Sequence, residues 1–141
     1  MSAAYIDSSV LLRIVMSEPN PSSGWRSHDA LVSCEIIHVE ALRAIDRLRL
    51  GASLDDETVA RRRALVYEFL EGIQLIHLGP AVLERASQPF PTTLGTLDAL
   101  HLSSALLWQQ DEGNALGAFF THDEQLGRAA RSLGLRVLAG C

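Results

Sequence analysis

Four carboxylates stand where apolar runs give way to helical stretches. Asp7 closes AAYID before SSVLLRIVM, Asp98 opens LDALHLSSALL, Asp123 lies two residues beyond Thr121 at the end of GAFFT, and Glu40 falls in the segment after ALVS. Carboxylates held close together repel one another unless they share a proton or a cation. With no convergent set of His or Cys beside them, such a cluster favours a hard divalent ion, Mg²⁺ or Mn²⁺, over zinc. The chemistry suited to it is phosphodiester hydrolysis, in which the ions activate water and stabilise charge on the attacking and leaving oxygens.

Each acid also has a plainer explanation. Asp7 could simply cap the helix that begins at Ser8. Thr121 and Glu124 form a T-x-x-E capping box, which would leave Asp123 as a favourable first-turn charge. Glu40 has Arg43 three residues on, the spacing of a surface ion pair. Asp98 is the hardest to dismiss, because it heads a segment built for burial and an unpaired buried carboxylate is costly. No ammonium group can compensate it: all 12 basic residues are arginine. The same lack of lysine removes a P-loop, a lysine nucleophile or base, and a phosphoreceiver domain. A haloacid-dehalogenase-type phosphatase needs Asp-x-Asp and a lysine, whereas this chain has DSS at 7–9. The H-x-E of His38 and Glu40 lacks the P-C-x-x-C of a zinc deaminase.

The elements that must position these acids alternate between strand and helix. AAYID (3–7), ALVS (30–33), GIQLIHL (72–78), GAFFT (117–121) and LRVLA (135–139) read as strands. SSVLLRIVM reads as a helix closed by Pro19 and Pro21. A second helix runs from Cys34 to Leu50, with Gly51 where a C-terminus favours glycine. A third starts from a cap within Ser53 to Asp56 and runs to about Glu71. PAVLERAS is a short helix with proline in its first turn, and QPFPTTLGT is an irregular loop. LDALHLSSALLW, apolar almost all round, is a helix buried on most sides, and HDEQLGRAARSLG is the last helix. This alternation predicts an α/β fold, a mostly parallel central sheet flanked by helices on both faces. In such a sheet, ligands bind beyond the carboxyl ends of the strands, where Asp7 and Asp123 are expected.

The 141 residues predict a single domain, 1–141, with a core that needs no disulfides. Cys34 and Cys141 are expected to be reduced thiols without metal-ligand spacing. No apolar stretch is long enough to span a bilayer, and MSAAYIDSS lacks the pattern of a signal peptide, so a cytoplasmic protein without a membrane partner is expected. A net charge of −5 argues against nucleic-acid binding mainly by a general basic surface. Contacts to substrate phosphates would have to be local. Arg43 and Arg47, one turn apart on the helix bearing Glu40, and Arg13 near Asp7 are candidates. Arg61, Arg62 and Arg63 read as a solvated helix face, with an RNA or partner contact as the alternative. His101, one turn beyond Asp98, reads as a packing or hydrogen-bonded histidine rather than a ligand. Trp25 and Trp108 read as core or interface residues.

The YIDSSVLL opening, SCEIIHVEALRA, LDALHLSSALL and FFTHDEQL follow in the order and approximate spacing seen in PIN-domain ribonucleases, and the whole chain most resembles the VapC toxins of toxin–antitoxin pairs. The resemblance implies a PIN-like three-layer fold. It also implies that Asp7, Glu40, Asp98 and Asp123 are the catalytic acids holding Mg²⁺ (or Mn²⁺), with Thr121 the polar residue beside them. Glu35 competes with Glu40, which is preferred because it immediately precedes ALRA. In the expected mechanism Asp7, Glu40 and Asp98 bind a first ion directly, and Asp123 acts through water or on a second. The family further implies a homodimer, a structured RNA substrate (tRNA or rRNA), and a cognate VapB-type antitoxin laid across the site. The alternatives are a housekeeping or DNA-directed PIN nuclease and a catalytically silent PIN binding module.

Overall fold

The computed structural model describes residues 2–16, 24–51, 54–111 and 113–138, apart from the side chain of Trp25. Pro19, Pro21, Ser53, Cys141 and the Trp25 side chain therefore lie outside the described residues. Among the described residues, five strands are separated by one or two helices each, six in all: β1 (Ala3–Ile6), α1 (Ser8–Met16), β2 (Ala30–Cys34), α2 (Ile36–Leu50), α3 (Asp56–Glu71), β3 (Gln74–Ile76), α4 (Pro80–Ala86), α5 (Thr96–Gln110), β4 (Leu116–Phe120), α6 (Glu124–Ser132) and β5 (Val137–Leu138). A short 3-10 turn at Gly24–Ser27, which the sequence pattern does not announce, precedes β2.

The sheet has the order β3-β2-β1-β4-β5, and every pairing is parallel. The expected mostly parallel sheet is thus wholly parallel. Side chains alternate across a strand, so β1 divides its residues between two cores. Ala4 and Ile6 point into one with Val10, Leu11, Ile37, Ile45 and Val66, beneath α1, α2 and α3. Ala3 and Tyr5 point into the other with Leu102, Ala105, Phe119, Leu126 and Ala130, beneath α5 and α6. These two layers cover the sheet and give the three-layer α/β fold expected.

Local signals fix several element ends. The Asp55 side chain accepts the Thr58 amide at 2.8 Å and starts α3. Pro80 opens α4 in the turn where its missing N–H costs nothing. Gly51 does follow α2, but with φ −77° it uses none of a glycine's freedom. Gly134, after α6, does use it, with φ 87°. In β4 one residue is extra: Ala3 pairs with Leu116 and Ala4 with Ala118, leaving Gly117 as a bulge. A Cβ there would stand 2.9 Å from the His28 ring and 3.1 Å from the Ser2 Cβ, so the close approach requires glycine.

Candidate active site

The order β3-β2-β1-β4-β5 places β1 at the centre. The chain leaves it toward β2 and β3, then returns to its other side to form β4 and β5. That reversal opens a crevice at the carboxyl ends of β1 and β4. Asp7 follows β1 directly and Thr121 follows β4 directly, so both face the crevice by virtue of their place in the chain.

Asp7 is the most buried of the four acids, at 3% exposure, whereas Asp98 is only half-buried. The burial expected of Asp98 therefore belongs to Asp7. Its Oδ1 accepts from the Ser9 hydroxyl at 2.6 Å and from the Val10 amide at 3.2 Å, and its Oδ2 accepts from the Thr121 hydroxyl at 2.5 Å. Burial raises its pKa, while Ser9, Thr121, His101 and Val10 work in the opposite direction. The Val10 bond is a cap for α1, so Asp7 serves the helix and the crevice at once. Thr121 Oγ1 in turn accepts the Asp123 amide at 2.9 Å, and Ser9 Oγ accepts the His122 amide at 2.9 Å. The T-x-x-E capping box is not formed: Asp123 itself caps α6, accepting the Leu126 amide at 2.9 Å. A cap at Asp123 sits nearer the first amides of α6, and this leaves the Thr121 hydroxyl to Asp7.

Glu40 reaches the same crevice from α2. Its Oε1 lies 2.6 Å from His101 Nε2 and its Oε2 accepts from Ser8 Oγ at 3.2 Å, so its carboxylate is committed there rather than to Arg43. Glu35 points elsewhere. It accepts the Leu78 amide at 2.8 Å and His77 Nδ1 at 3.0 Å across to the β3–α4 connection, and the Leu78 amide chiefly holds its pKa below the ordinary range. The Asp98 carboxyl is pushed up to about 6, first by burial and then by the negative charges of Asp123 and Asp7, with Glu40 adding to them and His101 opposing. Asp7, Glu40 and Asp123 are thus all within electrostatic reach of Asp98, and Glu35 is not among these charges.

Among the described residues, no three His, Cys, Asp or Glu side chains stand so as to hold an ion between them in their present rotamers. Glu40 is turned to His101 and Asp123 to its own helix, so Asp7, Glu40 and Asp98 are gathered as charges rather than as a finished cage. The donor set is nonetheless all carboxylate, the oxygen chemistry that suits Mg²⁺ or Mn²⁺.

Two recesses flank the acids. One of about 300 Å³ is lined by Ser8, Glu40, Arg43, Arg47, Val39 and Leu97. The other, of about 420 Å³, is lined by Thr121, His122, Asp123, Arg128 and Arg131. Arg13 is exposed on α1. The His122 pKa is lowered mainly by burial and then by Arg13, which places that guanidinium near the β4 exit. Arg128 and Arg131 were not singled out by sequence, since nothing in their spacing ties α6 to the other acids. Ser8 and Ser9 were legible only as the DSS that fails to match a phosphatase. Arg61 is exposed, and Arg62 donates to the Met16 sulfur at 3.3 Å. Trp108 packs against the α5–α6 core.

An all-parallel sheet between two helical layers, with acids from four segments at its switch point, places the chain among the α/β proteins that bind ligands beyond their strand ends. The PIN-domain family model matches residues 4–132, and the chain belongs to this family. Its type within the family is VapC. Ribonuclease VapC46 of Mycobacterium tuberculosis is 33% identical over 142 residues, covering 99% of this chain and 98% of that protein. Ribonuclease VapC47 of the same species is 29% identical over 138 residues, covering 92% and 91%.

Proposed function

We propose that this VapC-type protein is a Mg²⁺- or Mn²⁺-dependent endoribonuclease toxin. It acts in the cytoplasm as a single PIN domain over residues 1–141 and hydrolyses phosphodiester bonds in structured RNA, tRNA or rRNA. The observation that carries this reading is the meeting of Asp7, Glu40, Asp98 and Asp123 at one crevice, where burial first and then the charges of Asp123, Asp7 and Glu40 raise the Asp98 carboxyl. A cluster of like charge with no lysine beside it is relieved by a divalent cation, and the likeness to proteins named ribonucleases supports RNA as substrate.

Asp7, Glu40 and Asp98 would hold the ion, with Asp123 beside them. Bound there, the cation supplies positive charge against the developing negative charge of a phosphodiester under attack. The chain's own residues do the positioning. Ser9, Thr121 and the Val10 amide hold Asp7, and Ser8 and His101 hold Glu40. Arg43, with Arg47 in the recess beside Glu40, and Arg13 on α1 contact the phosphates flanking the scissile bond. Thr121 lines the opposite recess and sets the edge of the substrate cleft while holding Asp7. A homodimer and a cognate VapB-type antitoxin complete the proposal by family likeness.

The experiment is incubation of purified protein with a panel of structured cellular RNAs in Mn²⁺ or Mg²⁺, beside EDTA and Asp7→Asn controls. Discrete products that vanish in both controls are expected. Folded, antitoxin-free protein that cuts none of them, or cuts equally in EDTA, overturns the proposal.

A further inference from the structure

A hydrogen-bonded line runs through the core to Glu40 from two residues that touch no solvent. Tyr5 on β1 is 0% exposed and His101 on α5 is 1% exposed. The Cys34 amide donates to Tyr5 Oη at 3.0 Å, Tyr5 Oη lies 2.7 Å from His101 Nδ1, and His101 Nε2 lies 2.6 Å from Glu40 Oε1. The ring of Tyr5 is held flat against Phe119, with centroids 4.9 Å apart, and meets His101 edge-on.

The donors along this line can be assigned from its fixed end. A backbone amide only donates, so Tyr5 Oη accepts from Cys34, and its own proton given to His101 Nδ1 would use the phenol's donor as well. In the neutral imidazole Nδ1 is then an acceptor, the ring proton sits on Nε2, and Nε2–H is donated to the Glu40 carboxylate, a bond that the charged ring keeps. This sequence satisfies every group on the line with one tautomer. A histidine that merely filled space beneath α5 would leave its ring nitrogens to be desolvated at a cost, and an apolar side chain would serve better. Here both nitrogens are met, and one of them by an acid of the crevice.

We propose that His101 is a positioning residue: Tyr5 fixes its orientation, and it fixes the Glu40 carboxylate for cation binding. The proposal rests on the reading of the crevice as a divalent-cation site and deepens it. The line joins the segments that carry the acids. Tyr5 lies two residues before Asp7, His101 three residues after Asp98, and Glu40 is on α2. Ser8, one residue beyond Asp7, takes the second oxygen of Glu40. Glu40 is therefore gripped from α5 at one oxygen and from α1 at the other, which holds its carboxylate in one orientation.

The test measures Mn²⁺ binding by calorimetry and the rise in Tm on adding Mn²⁺, for wild type, His101→Leu, His101→Gln, Tyr5→Phe and Glu40→Gln. Loss of an outer partner of a metal ligand weakens the metal by about 10- to 100-fold. Half-saturation of His101→Leu should therefore need at least about tenfold more Mn²⁺. Tyr5→Phe, which keeps the imidazole but frees its tautomer, should shift the same way, and His101→Gln, which keeps an N–H for Glu40, should recover most of the loss. A merely structural role would lower the metal-free Tm and leave the Mn²⁺ half-saturation unchanged. That result in cooperatively melting variants, or a His101→Gln no better than His101→Leu, overturns the proposal. If His101→Leu does not fold, Tyr5→Phe and His101→Gln decide between the same outcomes. If wild type binds no Mn²⁺ and Glu40→Gln changes nothing, the cation site itself fails, and the role of His101 falls with it.

Discussion

Asp98→Asn should make the cation-free protein more stable while abolishing cleavage. The carboxyl stands at about 6 in the fold against an ordinary value of 3.8. At about 1.4 kcal/mol per tenfold change in proton affinity, that gap corresponds to at most about 3 kcal/mol. Asp98 is only half-buried, so solvent screening reduces the figure to about 1.5 kcal/mol. A negative charge in the first turn of α5 is favourable by about 0.5 kcal/mol, and the amide forfeits this. A net gain of about 1 kcal/mol remains at neutral pH. The sign follows from linkage. A carboxyl whose folded pKa lies above its unfolded one stabilises the fold while protonated, and that contribution is lost as pH rises from 3.8 through about 6. The advantage of the variant should therefore be small near pH 4 and develop fully above the folded pKa. Urea unfolding of both proteins in EDTA, from pH 4 to 7.5, measures it directly. Adding Mn²⁺ at pH 7.5 should then stabilise wild type more than the variant. A variant that is less stable than wild type at pH 7.5, or whose advantage does not grow with pH, refutes the idea that Asp98 is strained by burial and by its neighbours.

Thr121→Val keeps the shape of the side chain but withdraws a donor from Asp7 Oδ2 and an acceptor from the Asp123 amide. It should cost about 1–3 kcal/mol in a denaturant titration, with Thr121→Ser close to wild type; a valine variant of unchanged stability would count against the bond network. Gly117→Ala should destabilise by about 1–3 kcal/mol through overpacking against His28, and the double variant with His28→Ala should recover much of it, since the contacts of 2.9 and 3.0 Å are with that ring. Equal stability of Gly117→Ala and wild type would show that the bulge can open at little cost.

The parts of the fold that sequence reveals are those set by short-range chemistry. The β1–α1 junction is legible to within a residue because AAYI is apolar and Asp7 and Ser8 end it. The start of α3 is legible because an aspartate caps it. The edge strands are different. GIQLIHL suggests seven residues, but only Gln74–Ile76 pair with β2, and of the described residues of LRVLA, 135–138, only Val137 and Leu138 pair with β4. Which backbone groups meet a neighbour at the margin of a sheet depends on strands dozens of residues away, and no local pattern records it. Gly51 shows the converse: a residue in the position favoured for a C-cap, in a conformation any residue could adopt.

The same division runs through the crevice. The four acids are legible because each stands at a strand exit or near a helix start, where α/β topology collects ligands. Their distant partners are not, since the bonds of Glu40 to His101 and of Asp7 to Thr121 join residues 61 and 114 positions apart. The tripeptide DSS at 7–9 spans both cases. Read locally, it is an Asp-x-Asp motif with its second acid missing. In the fold its two serines are what the crevice requires, because one more carboxylate would add charge to a cluster already raising Asp98, whereas a hydroxyl supplies a donor. Ser9 gives its proton to Asp7 and Ser8 gives its proton to Glu40. One turn of α1 thus grips two acids that arrive from separate elements, and it does so only because the sheet order has already brought α2 beside the exit of β1.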